Sequence, residues 1–175
     1  DKGPQLFLRA LEILHGDSVD FRVNVIGEPG TYEPECFARA KVKLGDRINR
    51  WGYQPTRQGY LSGLAESDFF VSTAKHEFFG ISVCEAVLCG AFPVLPKRLA
   101  YPEVMQLKDF PERERHFYSG DAESLAHRLK KLIQQRNAGV LWQTPQSELI
   151  DTFEKYQMIR CAPEMDTELQ RLTEG

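Results

Sequence analysis

The sequence predicts an α/β fold of the Rossmann-like, doubly wound kind: a parallel sheet with helices on both faces. Three observations lead there. Helical and extended patterns alternate along the chain, which is the order a covered parallel sheet imposes. Hydrophobic residues make up 42% of the 175 residues and both charge signs are dispersed, so the chain can bury a core. One helix pattern, 80–89, is followed at once by an apolar strand, Phe92 to Leu95. The length suits one domain, or one domain and a C-terminal extension. We place the domain at 1–140 and a helical extension at 141–175.

The elements follow in order. A helix from Pro4 to His15 sets Leu6, Phe7, Ala10, Leu11 and Leu14 on one face, and Gly16 ends it. Phe21 to Ile26 reads as a strand closed by Gly27. Pro34 to Leu44 is a helix and Arg47 to Trp51 a short strand. Thr56 to Glu66 is helical, with Tyr60, Leu61, Leu64 and Ala65 inward. Asp68 to Ser72 is a buried strand, Gly80 to Cys89 a helix, Phe92 to Leu95 a strand, and His116 to Tyr118 a last short one. Asp121 caps a helix running to about Gln135, with Leu125, Leu129, Leu132 and Ile133 as its apolar stripe. Thr144-Pro145 opens a final amphipathic helix carrying Leu149, Ile150, Phe153 and Tyr156.

The run from His76 to Val94 is the most informative. Glu77 and Glu85 stand eight positions apart, with Phe79-Gly80-Ile81 after the first and Glu85-Ala86 opening Glu-Ala-x-x-x-Gly. Eight residues are slightly more than two helical turns. Glu77 would therefore sit in the loop before a helix, and Glu85 in its second turn, near one side of its N-terminal half. The amides of Gly80, Ile81 and Ser82 would be unpaired donors at the positive end of that helix. Amides accept an anion and carboxylates accept hydroxyl protons, so the pattern suits a ligand with phosphate and hydroxyl groups, such as a sugar nucleotide.

Glu-x-Phe-Gly-Ile-x-x-x-Glu-Ala-x-x-x-Gly-x-Pro-Val resembles the donor-site signature of retaining GT-B glycosyltransferases, group 1 or family 4. The longer stretch Ser72 to Gly80, with Trp51-Gly52-Tyr53 and Tyr101-Pro102-Glu103-Val104, looks most like the tRNA-queuosine mannosyltransferase group and its bacterial relatives. The resemblance runs from Asp1 to about Lys131. It implies the nucleotide-sugar-binding half of a GT-B enzyme, moving a hexose, with mannose from GDP-mannose favoured, to an acceptor with retention. A modified tRNA nucleoside is the acceptor it suggests. It also implies that the first strand of the domain, an arginine ahead of the lysine, and an N-terminal acceptor-binding domain are not in this sequence, leaving the chain alone inactive.

By the same resemblance Glu77 would accept hydrogen bonds from the donor sugar's hydroxyls. Phe79, Gly80 and Ile81 would supply amides to that sugar and the phosphates, with Ser82 beside them. Glu85 would hold the ribose hydroxyls. Lys2 matches a diphosphate-binding lysine, where positive charge would stabilise the departing nucleoside diphosphate. Gly27 lies at the carboxyl end of a strand, where open α/β sheets bind ligands. His76 could line the sugar pocket or be a hydrogen-bonding core histidine. No cofactor and no metal are expected, since the sequence holds no DxD and no clustered His/Asp set.

Plainer readings stand beside these. Glu85 could be a solvent-facing helix residue, Glu77 an acid favourable near a helix N-terminus, and Lys2 a surface lysine. Trp51 and Tyr53 suit core and turn roles better than base stacking. Glu103 follows Tyr101-Pro102 as in the family's Pro-Glu turn, without the preceding glycines. Two other functions compete: a GT-B-like sugar-nucleotide epimerase, and a catalytically vestigial Rossmann-like interaction domain.

A net charge of −3 gives no general reason to bind nucleic acid, so any tRNA surface must be local or elsewhere, and this chain by itself is not expected to bind tRNA. Cys36, Cys84, Cys89 and Cys161 form no CxxC pair and read as reduced and structural, hence a cytoplasmic location. No run of 18 apolar residues suggests a membrane span.

Overall fold

The structure, a computed structural model, describes residues 2–27 and 35–154, with Pro163, Thr167, Gln170 and Arg171. Asp1, Pro34, Tyr156 and Cys161, named above, lie outside the described residues. Five strands and seven α-helices alternate: α1 (Pro4–Gly16), β1 (Val23–Ile26), α2 (Glu35–Leu44), β2 (Ile48–Gly52), α3 (Arg57–Ala65), β3 (Phe69–Val71), α4 (Ile81–Leu88), β4 (Phe92–Pro96), α5 (Tyr101–Val104), β5 (Phe117–Tyr118), α6 (Ala122–Asn137) and α7 (Gln146–Glu154).

All strand pairs are parallel. β1 pairs with β2, Val25 opposite Trp51, and β4 pairs with β3 and β5, Val94 opposite Val71 and Leu95 opposite Phe117. The two groups are separate sheets, β1-β2 and β3-β4-β5. Between them runs a cavity of ≈ 1030 Å³, with β1 residues such as Asn24 and Val25 on one side and β3 residues such as Phe70 and Val71 on the other. The doubly wound α/β character expected from the sequence is therefore present, with its sheet in two parts.

Helices cover both faces. α1 packs against α6 and α2 on one, while α4 packs against α3 and α7 on the other. The first layer closes on Leu8, Leu11, Leu14, Leu125, Leu129 and Leu132, all buried. At about 1.5–3 kcal/mol for each such side chain removed from water, this stripe anchors α1 and so fixes where Lys2 emerges. The second layer joins Val83 and Val87 of α4 to Tyr101, Leu149 and Phe153, so α7 packs directly on the signature helix. Gln146 Nε2 adds a bond to the Gly90 carbonyl at 2.7 Å.

Local chemistry explains the boundaries. Thr56 caps α3 through the Gly59 amide (3.0 Å), and Asp121 caps α6 through the Ser124 amide (2.7 Å). β1 starts at Val23 instead of Phe21, because Arg47 Nη1 takes the carbonyls of Val19 (2.9 Å) and Phe21 (3.4 Å). Arg47 itself lies in a 3₁₀ turn, so β2 begins one residue late. Helix α5 and the 3₁₀ turn Pro111–His116 were not anticipated. They are held by buried Arg113, whose guanidinium donates to the Met105 carbonyl and to Thr152 Oγ1, both at 2.9 Å.

Candidate functional site

The carboxyl ends of β3 and β4 and the start of α4 assemble the site. After β3 the chain leaves as the loop 72–79, and its first three residues are tied down. The Tyr118 hydroxyl donates to the Ser72 carbonyl (3.0 Å), and Ser72 Oγ meets the Tyr101 hydroxyl at 2.7 Å. Buried Thr73 Oγ1 donates to the carbonyls of Lys2 (2.8 Å) and Gly3 (3.1 Å). Arg98 Nη2 donates to the Ala74 carbonyl at 3.1 Å. The start of α1 is thereby fastened to the loop after β3, although 71 positions separate them along the chain.

Two glycines make this approach possible. Gly3 is at φ +62, and a Cβ there would stand 2.5 Å from the Thr73 carbonyl oxygen. Gly80, the N-cap of α4, is at φ 96 and ψ 50, and a Cβ there would stand 3.2 Å from the Tyr101 ring. Only glycine takes such a φ at little steric cost.

The fastening brings Lys2 Nζ to 2.8 Å from Glu77 Oε2. The Glu77 side chain is 16% exposed and that of Lys2 67%, so a recessed carboxylate meets an exposed ammonium. The Lys2 hydrogen bond, the lysine's charge and the amides of Phe79 and Phe78 hold the Glu77 carboxyl below its usual range, against the opposing effect of burial. The Phe79 amide is thus turned toward Glu77. Val83 and Cys84 make the first turn's bonds to the Gly80 carbonyl at 2.9 and 3.2 Å, which leaves the amides of Ile81 and Ser82 as the donors at this helix end.

Glu85 takes the second-turn position expected and faces α3. Its Oε1 accepts from Arg57 Nη2 at 3.0 Å and its Oε2 from the Tyr60 hydroxyl at 2.9 Å. Burial first, and then this carboxylate, push the Tyr60 hydroxyl's pKa upward, so Tyr60 stays a donor. A carboxylate has about four acceptor positions, so Glu85 keeps capacity for a diol.

The large cavity between the half-sheets reaches this region: Lys2, Gly27, Glu77 and Ser82 all line it, with Tyr60. Glu85, His76, Phe79, Gly80 and Ile81 are outside its lining. Gly27 ends β1 and donates its amide to the Gly52 carbonyl at 3.3 Å. His76 is exposed, which removes the core-histidine alternative. Trp51 stacks edge-on with Phe37 at 5.7 Å and lies under Lys41, a packing role, whereas Tyr53 is 61% exposed. Glu103 is exposed on α5.

Arg57 and Arg98 were missed as site residues, and nothing local to either signals its convergence. Tyr60 had registered only as an inward position of α3, and Ser72 and Tyr101 only within the motif stretches, without a role. Among the described residues no group of three His, Cys, Asp or Glu side chains could hold a metal ion, and no helix is long and apolar enough to cross a membrane. Cys36, Cys84 and Cys89 are free thiols, and burial pushes the Cys84 thiol up to about 11.

The sequence model of a family described as "Glycosyl transferases group 1" matches residues 1–144. Over 104 residues the chain is 41% identical to a protein of Drosophila melanogaster named tRNA-queuosine alpha-mannosyltransferase. That stretch covers 59% of this chain and 27% of the fly protein, so the match spans about a quarter of its length.

Proposed function

We propose that this chain, which belongs to the group 1 glycosyl transferases, binds the nucleotide-sugar donor of a hexosyltransferase. The donor is GDP-mannose and the acceptor a modified nucleoside of tRNA, in an intact protein that also carries an acceptor-binding domain. The observation that carries this reading is the Lys2–Glu77 ion pair at the amino end of α4. An ammonium, two helix-terminal amides and a recessed ionised carboxylate brought together at the start of α4 match a diphosphate joined to a polyhydroxyl ring.

In this reading the donor's diphosphate takes the Lys2 ammonium and the amides of Ile81 and Ser82. Glu77, relieved of Lys2, accepts the hexose hydroxyls and fixes the ring. Glu85 accepts the ribose hydroxyls while Tyr60 and Arg57 keep its carboxylate oriented. As the anomeric bond breaks, charge grows on the leaving phosphate oxygen, and Lys2 with the α4 amides stabilises it where water is displaced. No side chain of the loop is arranged as a nucleophile toward the sugar. Transfer with retention then follows from acceptor attack on the face the leaving group vacates, with the departing phosphate taking the acceptor's proton. The 41% identity to the fly mannosyltransferase supports the choice of mannose and tRNA.

The test is calorimetric titration of the chain with GDP, UDP and ADP, with Glu85→Ala and Glu85→Gln in parallel. GDP should bind in preference, and Glu85→Ala should cost about 1–3 kcal/mol, or roughly 5- to 150-fold in Kd. Unchanged affinity in Glu85→Ala removes the ribose role, and a preference for UDP or ADP removes GDP-mannose.

A further inference from the structure

A second cavity, ≈ 430 Å³, lies apart from the donor residues. It runs along β5, between that strand and α6, from Glu114 and Phe117 to Ser119. Its cations are Lys97, Arg128 and Lys131, with His127 beside them. Its one carboxylate, Glu114, is already matched by Lys97 at 2.8 Å. Among the described residues neither Arg128 nor Lys131 makes an ion pair. Behind them Arg115 donates to the Leu141 carbonyl, and its pKa is lowered by burial and by the charge of Arg128. In a chain of net charge −3, this is a local inversion of sign.

The shape favours an extended anion over a compact one. Arg128 and Lys131 stand about 4.5 Å apart in rise along α6, and Lys97 adds a third cation from the end of β4, so the charge is spread along the trough. The aromatic side chains in the wall, Phe117 and Tyr118, are 2% and 4% exposed and offer no face for stacking a base. The trough can therefore grip a backbone without reading sequence. One residue links it to the loop of the donor site. Lys97 is followed by Arg98, which bonds the Ala74 carbonyl of the loop bearing Glu77 and lies against Gly120.

We propose that this trough seats the ribose-phosphate backbone of the RNA acceptor, guiding a neighbouring nucleoside toward the loop that carries Glu77. The proposal rests on the donor reading above, and it departs from the expectation drawn from net charge that this chain alone would not bind tRNA.

The experiment measures binding of the chain to a labelled tRNA transcript by fluorescence anisotropy, between about 50 and 200 mM salt. Affinity should fall steeply with salt. Arg128→Ala/Lys131→Ala should weaken binding by about tenfold or more at low salt and reduce the log–log salt slope by about 2. Arg128→Lys/Lys131→Arg should retain wild-type binding, and both variants should keep the wild-type Tm and GDP titration. The proposal is overturned if the alanine pair binds tRNA as wild type does. It is overturned equally if wild type shows no tRNA binding at low salt, in which case the cations serve only to protect the open edge of β5. Competition by inorganic phosphate at matched phosphate concentration would also overturn it, marking a small-anion site. Loss of GDP binding alone would sink the donor reading instead.

Discussion

Replacing Gly80 by alanine should destabilise the protein through two separable effects. The residue sits at φ 96, ψ 50, where an L side chain costs about 1–2 kcal/mol. Its new methyl would lie 3.2 Å from the ring of Tyr101, which is only 1% exposed and hydrogen-bonded to Ser72, so the ring cannot simply swing away. Crowding of this kind costs about 1–3 kcal/mol. Alanine also restricts the unfolded chain, which returns about 0.4–1 kcal/mol. The balance is a loss of about 3 kcal/mol, and for a chain of this size that is about 6–12 °C in Tm. Thermal and urea unfolding measure it, with Gly16→Ala as the control. Gly16 is helical, and a Cβ there meets nothing within 4 Å, so that variant should be neutral or slightly stabilised. A Gly80→Ala protein as stable as wild type, or a Gly16→Ala protein equally damaged, would refute the reasoning.

Two further outcomes follow from the same geometry. Tyr60→Phe removes the hydroxyl that orients Glu85 but leaves the ring, so GDP affinity should fall by about 0.5–1.5 kcal/mol in titration. Adding Tyr60→Phe to Glu85→Ala should then cost nothing more, and a full additive loss would show that Tyr60 acts elsewhere. His116 is buried, stacked on Phe92 and bonded to the Pro93 carbonyl, and burial drives its pKa down to about 3. Below the unfolded value near 6.5 the unfolded chain binds the extra proton, so stability is full above that pH and falls as pH drops toward 3. The limiting slope is about 1.4 kcal/mol per pH unit. The lowered carboxyls of Glu77 and Glu12 add their own loss only below about 4.5. Urea midpoints between about pH 6.5 and 5 should therefore slope in wild type and flatten in His116→Gln; parallel slopes would discount His116.

The helices and strands were legible because local periodicity and caps decide them: Ala10, Leu11 and Leu14 recur at helical spacing, although Leu8, and not Leu6 or Phe7, completes the buried face, and Thr56 and Asp121 stand where caps belong. The loop–helix placement of Glu77 and Glu85 was legible too, because a fixed spacing maps directly onto helical turns. Segment 97–116 was not, because its turns are held by Arg113 reaching Met105 and Thr152, contacts with no local pattern. The partners within the site were hidden for the same reason. Glu85 meets Tyr60 25 positions away and Glu77 meets Lys2 75 away, and pairing over such distances is decided by the fold.

Lys2 and Glu77 each occupy the other as a ligand would. If the proposed roles hold, the ammonium donates where a sugar hydroxyl would donate, and the carboxylate stands where a phosphate oxygen would stand. On the proposed reading, donor binding is then a swap of partners in which no charge is left stranded at any stage. On that reading the Lys2 contact keeps Glu77 ionised and would compete with the sugar for it. An arriving nucleotide without its hexose could draw Lys2 away but would leave Glu77 unanswered. The pair therefore favours the complete donor over the spent nucleotide, which is the discrimination a transferase needs at the end of each turnover.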